Sequence, residues 1–217
     1  MIEKQIKEQK TMNAGRVGKL GMLHLNGNVL CAIDTETTGP LAGFNDIIQI
    51  CVLPLDAALN PLREVIPFYC DLKPKRPENC GKDNIVRNRM KLCKAAIDGL
   101  DAEFARDLFE EWFEKLKLVY PHKISPLASN WAHDRAFLID WLGRESFNQF
   151  FDSRFRDTQA VALYLNDRND FRAERARFGR VGLTSLCREL KVSNEFAHDA
   201  LQDCIATTEV YKQLIKI

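Results

Sequence analysis

The feature that most constrains this chain is a short apolar run that ends on two carboxylates: Val29-Leu30-Cys31-Ala32-Ile33-Asp34-Thr35-Glu36-Thr37-Thr38-Gly39-Pro40. A run of this length, closed by Gly-Pro, reads as a buried strand, expected over Val29 to Asp34. Side chains alternate along a strand, so Asp34 and Glu36 project from one face. Two carboxylates held together at a strand end repel each other. Either one is protonated or a cation sits between them. Hard divalent ions such as Mg²⁺ or Mn²⁺ prefer such oxygen ligands.

Further acids occur in two other segments. Asn130-Trp131-Ala132-His133-Asp134-Arg135-Ala136-Phe137-Leu138 follows a second apolar stretch, and His198-Asp199-Ala200-Leu201-Gln202-Asp203 lies near the C-terminus. Asp34 and Glu36, then Asp134 flanked by Asn130 and Phe137, then His198 and Asp203 form three motifs in fixed order. In this the chain resembles the DnaQ-like 3′→5′ exonucleases, in the DEDDh subgroup whose third motif carries His. Leu183-Thr184-Ser185-Leu186-Cys187 resembles the short helix between the second and third motifs. The resemblance runs from about Val29 to the C-terminus. One departure is His133, which precedes Asp134 where many members carry an aromatic residue.

The resemblance implies a ribonuclease H-like α/β fold and a metal-dependent hydrolysis of phosphodiester bonds. Two divalent ions, Mg²⁺ or Mn²⁺, lie about 3.5–4 Å apart in such sites. Asp34 would bridge both, Glu36 and Asp203 would complete the nucleophile side, and Asp134 would hold the leaving-group side. His198 would be the general base, a task that suits a neutral imidazole. The resemblance also implies that the Thr37 backbone N–H meets the terminal nucleotide. Asp134 could instead cap the helix that follows it. Asn130 reads as structural, fixing the loop before Asp134 by side-chain hydrogen bonds. The His133 departure bears on the local wall of the pocket that the resemblance implies, where His133 is expected to meet substrate.

Arg168, Arg172, Arg175, Arg177 and Arg180 are interleaved with Phe171 and Phe178. Two readings stand: a strand-guiding patch, with Arg177 and Arg180 on phosphates and aromatics on bases, or a solvated face. Lys73, Lys75, Arg76 and Lys82 form a weaker basic loop, read as solvated.

Composition narrows the surroundings. The 217 residues suffice for one sizeable core, and 31 basic against 30 acidic residues leave a net charge of +1. A nucleic-acid ligand would therefore be attracted by local patches rather than by a global basic field. No apolar stretch is long enough to span a membrane, and residues 1–10 lack the apolar core of a secretory signal. Seven cysteines at irregular spacing, with no Cys-x-x-Cys pair, argue against zinc and for reduced, buried thiols in a cytoplasmic protein. Cys70, Cys80 and Cys93 flank a loop.

The expected organisation is an N-terminal extension over 1–28, a flexible or loosely docked tail, and an exonuclease domain over 29–217. In the domain, strands over 29–34, 46–55 and 62–72 would form an antiparallel meander. A helix from an Asp101 cap to Val119 would follow, with a stripe of Phe104, Leu108, Trp112 and Leu116 widened by Ala105, Phe109 and Phe113. Then come a strand over 124–129, a helix over 135–142, a strand over 151–157, and helices over 158–165, 181–191 and 200–215. This gives a mixed five-strand sheet flanked by helices. The expected substrate is the 3′ end of single-stranded nucleic acid, DNA slightly ahead of RNA. Two alternatives are an exoribonuclease trimming RNA ends and a catalytically silent binding module of the same fold. A separate polymerase or repair protein is the expected partner, and no membrane.

Overall fold

The computed structural model describes residues 22–81 and 91–217. Its strands are β1 (Val29–Thr37), β2 (Ile47–Leu55), β3 (Phe68–Asp71), β4 (Ile124–Ala128) and β5 (Arg156–Asp157). They form one mixed sheet in the order β3-β2-β1-β4-β5. The first three strands make the expected antiparallel meander, and β4 and β5 add in parallel on the other side of β1. The helices are α1 (Ala102–Lys117), α2 (Trp131–Leu142), α3 (Arg144–Phe150), α4 (Thr158–Phe171), α5 (Leu183–Leu190) and α6 (Ala200–Leu214). Residues 91–98 are helical as well.

The period-two rule sorts the two faces of β1. Val29, Cys31 and Ile33 join a core with Phe109, Phe113, Trp131 and Phe137, under α1, α2 and α3. Leu30 and Ala32 join Ala200 and Cys204 on the opposite face, under α6. Asp34 and Glu36 continue the even series, which aims both carboxylates at α6. The odd residue between them, Thr35, is on the side of α2.

Several boundaries differ from expectation for local reasons. β1 runs three residues further, to Thr37, and its register shifts only between Glu36 and Thr37. β3 starts at Phe68 because Pro67 has no N–H to donate to a ladder. β5 keeps two residues, because the chain turns where Asp152 accepts from the Arg154 N–H at 2.9 Å. Asp101 sits at the N-cap of α1 without a side-chain capping bond, and the buried stripe is Ala105, Phe109, Phe113 and Leu116. Phe104 faces outward, 54% exposed. Phe109 instead lies among Phe68, Phe150 and Phe151, with ring centroids 5.2–6.1 Å away.

Of the proposed extension, residues 1–21 lie outside the described residues. Met22, Leu25 and Asn28 fasten this end onto the domain. Leu25 is buried beside Leu30 and Leu53, and the Asn28 Oδ1 accepts from the Lys123 N–H at 3.0 Å. Cys31, Cys51, Cys187 and Cys204 are buried, Cys70 and Cys80 are half-buried, and Cys93 is exposed; all seven are free thiols. Among the described residues no helix is long and apolar enough to cross a membrane.

Gly99 closes the helical stretch over 91–98 against the end of β3. A Cβ there would stand 2.3 Å from the Ala95 carbonyl oxygen and 2.8 Å from the Lys73 nitrogen, both backbone atoms. Gly99→Ala is expected to lower stability by roughly 1–3 kcal/mol, the usual cost of overpacking. Urea unfolding measures it; a midpoint equal to wild type would show that this junction yields freely.

Candidate active site

The three motifs converge in one cavity of about 290 Å³ at the end of β1. Asp34 and Glu36 arrive on β1, and Asp203 on the first turn of α6. His198 arrives on the loop just before α6. Asp134 comes from the other side of the sheet end.

Asp134 is placed differently from expectation. Helix α2 begins at Trp131, so Asp134 lies inside its first turn rather than ahead of it. The start of α2 is held from elsewhere. The Asp157 carboxylate accepts from the Asn130 N–H at 3.1 Å and the Trp131 N–H at 2.8 Å, which satisfies amides that a helix start leaves open. Asn130 therefore fixes the loop through its backbone, in a left-handed conformation with φ 72°, and its side chain makes no cap bond. Asp134 does not cap the helix. Its Oδ1 accepts from the Thr35 N–H at 2.9 Å and the Thr35 hydroxyl at 2.7 Å, and the side chain is buried. β1 thus presents Asp34 and Glu36 on one face and holds Asp134 through Thr35 on the other.

His198 has φ 70°, a left-handed conformation uncommon for a residue with a side chain. Its N–H donates to the Asp203 Oδ2 at 3.0 Å, which ties the loop to α6. The imidazole is exposed. A ring nitrogen of His198, a Glu36 oxygen and an Asp203 oxygen all lie within 4.8 Å of one another. Asp203 Oδ1 is buried with no hydrogen-bond partner.

The electrostatics of the site are those of a crowded carboxylate cluster. Burial pushes Asp34 well up, reinforced by repulsion from Asp134, then Asp203, then Glu36. Burial raises Glu36 to about 7, although the Lys91 ammonium opposes the shift. Burial likewise raises Asp134 against the hydrogen bonds from Thr35, and raises Asp203 against that from His198. Among the described residues no ion pair reaches any of the four acids. An orphaned buried oxygen, a close oxygen–nitrogen set and carboxylates that resist ionisation together fit a hard divalent cation.

The raised acids make stability pH-dependent. A carboxyl whose folded pKa lies above its unfolded value holds its proton more tightly when folded. Metal-free protein should therefore lose stability as pH rises from the ordinary carboxylate range through about 7, the region set by Glu36. Mg²⁺ or Mn²⁺ should remove that penalty, so the rise in Tm on adding metal should be larger at pH 8 than at pH 5. Thermal melts in chelator and in Mn²⁺ at the two pH values measure this; equal shifts would contradict it.

Of the other expected residues, Thr37, Asn130 and His133 line the cavity. The Thr37 hydroxyl donates to the Gly39 carbonyl at 2.8 Å. Burial lowers the pKa of His133, and its ring packs on Phe137 at 4.8 Å. Arg177 and Arg180 are not among the lining residues. Phe178 is buried in the core with Leu165 and Leu186, under the Arg177 guanidinium, so it is not available for bases. Phe171 is 94% exposed. Arg76 is no solvated cation: it bonds Asp46, Asp140 and the Gly43 and Asn45 carbonyls, and so clamps the loop that follows β1. Lys82 lies outside the described residues.

Gln49 was missed by the sequence reading. It pairs across from Glu36 and is buried. Its Oε1 accepts from the Ala200 N–H at 2.9 Å and from the Lys91 Nζ at 3.2 Å, and its Nε2 donates to the Asp71 Oδ1 at 2.7 Å. It thereby fastens the start of α6, and with it Asp203, to β2. The signal was present: one amide in the apolar run Ile47-Ile48-Gln49-Ile50-Cys51.

The sequence profile of the exonuclease family named for RNase T matches residues 31–211. The chain belongs to this exonuclease family. The three motifs above are those of its DnaQ-like, DEDDh members, and the sheet and helices are the ribonuclease H-like fold. Similar solved structures include an exonuclease I (16% identity, TM-score 0.68, covering 87% of this chain and 41% of that one). They also include cell-death related nuclease 4, CRN-4 (15%, 0.62, 87% and 64%). A third is E. coli exonuclease I in complex with a dT13 oligonucleotide (16%, 0.59, 85% and 40%). The family member described here thus spans about two fifths of exonuclease I. A comparison with curated protein sequences gives no match.

Proposed function

We propose that this exonuclease-family chain hydrolyses the terminal phosphodiester bond at the 3′ end of single-stranded nucleic acid, DNA slightly ahead of RNA. The observation that carries the reading is the convergence of Asp34, Glu36 and Asp203 with His198 in one cavity, with Asp134 held just behind it on Thr35 and an Asp203 oxygen left unpartnered. The same geometry argues against a silent binding module, which gains nothing from crowding four mutually repelling acids together. The dT13 oligonucleotide on E. coli exonuclease I supports the strand class.

Asp34, Glu36, Asp134 and Asp203 would hold two divalent ions, Mg²⁺ or Mn²⁺. When bound, these supply charge stabilisation at the phosphate and at the attacking and departing oxygens. The residues supply the rest. Thr37, Asn130 and His133 border the space for the terminal nucleotide. His198, exposed on its loop, takes the proton of the attacking water as that oxygen bonds to phosphorus. The bond from phosphorus to the 3′-oxygen breaks and that oxygen takes a proton from solvent water, releasing a 5′-mononucleotide and a shortened strand ending in a 3′-hydroxyl. The Asp203–His198 backbone bond holds the imidazole beside the carboxylates for this transfer.

The test is digestion of linear, 3′-blocked and circular single strands, as DNA and as RNA, with Mg²⁺ or Mn²⁺. Mononucleotides should appear from the free 3′ end alone. Cutting of the circle would reveal an endonuclease and overturn the proposed polarity.

A further inference from the structure

We propose that a cleft on the far side of α2 carries the single strand as it leaves the active site; this rests on the exonuclease reading above. The cleft holds about 690 Å³ and is lined by Lys123, Trp131, Arg135, Phe147 and Phe155 among others. It adjoins the active site through one turn of helix. Asn130 and His133 face the catalytic cavity, while Trp131 and Arg135 face the cleft. The same Asp157 that anchors this turn lines the cleft, and Gln159, bonded to it through its N–H at 2.9 Å, lines the catalytic cavity.

The chemistry of the cleft matches a single strand. Phe155 is 52% exposed, 6.4 Å from the Trp131 ring, and offers a free aromatic face where the chain gains nothing from exposing one. The Arg135 guanidinium lies over the Phe147 ring at 5.7 Å and, among the described residues, has no acidic partner. Lys123 donates to the Asn148 carbonyl at 2.6 Å and keeps further N–H groups to give. The two acids of the cleft are already engaged. Asp152 pairs with Arg154 at 2.8 Å, and Asp157 accepts three backbone N–H bonds. With Asp152 offset by Arg154, Lys123 and Arg135 outweigh Asp157 by one positive charge, beside an exposed aromatic ring. Phosphates on Arg135 and Lys123 with a base on Phe155 satisfy both, without reading sequence.

The experiment compares kcat/KM for an oligonucleotide of about twelve residues with that for a dinucleotide, for wild type, Phe155→Ala and Arg135→Ala. A variant that merely folds poorly lowers both values and leaves their ratio alone. The ratio should fall roughly 5- to 100-fold in Phe155→Ala, the factor for one lost base–aromatic stack, and the loss should sit in KM. In parallel, fluorescence anisotropy of a labelled twelve-mer is measured on Asp34→Ala protein with and without Phe155→Ala. Weaker binding in the double variant, steepest at low salt for Arg135→Ala, supports the cleft. Unchanged ratio and unchanged anisotropy overturn it. So does weaker binding of an acidic, Phe-containing peptide but not of the oligonucleotide, which would hand the cleft to a protein segment. If wild type cleaves nothing, the exonuclease reading fails, and the anisotropy alone decides the cleft.

Discussion

Asp34→Ala should cost at least about 10²-fold in turnover while the protein remains folded, the scale on which removing one preorganised charge-stabilising group acts. Asp34 feels Asp134, Asp203 and Glu36 alike, so it is the carboxylate on which the cluster centres. It is half-buried, beyond the apolar segment of β1, and its loss opens no cavity in the core. The same repulsion predicts a second, opposite effect. Removing Asp34 relieves Asp134, Asp203 and Glu36, so metal-free Asp34→Ala should melt above wild type, and the gain from added Mn²⁺ should shrink. Single-turnover assays and paired melts check both. A variant that cleaves within tenfold of wild type would remove Asp34 from the chemistry.

His198→Ala should lower the rate by roughly 10²–10⁴-fold, the range for losing a positioned base. The base needs its neutral form, so log rate in wild type should climb with pH along an acidic limb that flattens in the variant. The left-handed backbone at His198 requires a control, because Ala strains there. His198→Asn tolerates that conformation better and still lacks a base, so it should show the same flattened limb. Wild-type rates with an unchanged limb in both variants would sink the base assignment. Loss of metal affinity in both would instead assign the imidazole as a ligand, which its distance to Glu36 and Asp203 permits.

What could be read from the sequence follows its physics. The order of the three motifs, through the resemblance to the DEDDh exonucleases, named Asp34, Glu36, Asp134, His198 and Asp203 as candidates; of these only Asp34 and Glu36 stand on a strand. The alternation along Val29 to Glu36 placed two of them on one face, and the structure shows which: the α6 face. The start of α2 was not legible, because its cap, Asp157, is 26 residues away at the Trp131 N–H. Nor was the engagement of Asp134 by Thr35, 99 residues distant. Periodicity also left the angular centre of the α1 stripe open. Phe104 and Phe109 are equally apolar, and only packing against Phe68 and Phe150 decides that Phe109 is the buried one. The arginine-rich span left two readings open for a similar reason. Phe178 is apolar first, and its burial with Leu186 outweighs any use as a stacking platform.

The most direct test of the account is a Mn²⁺ titration followed by the signal of the free ion, run beside strand cleavage in the same samples. Two ions per chain should bind at the acids, with cleavage rising as the second site fills, and Asp34→Ala should bind fewer. Full cleavage in excess chelator, or equal Mn²⁺ binding by wild type and Asp34→Ala, would contradict the assignment of this cavity as a two-metal phosphodiesterase centre.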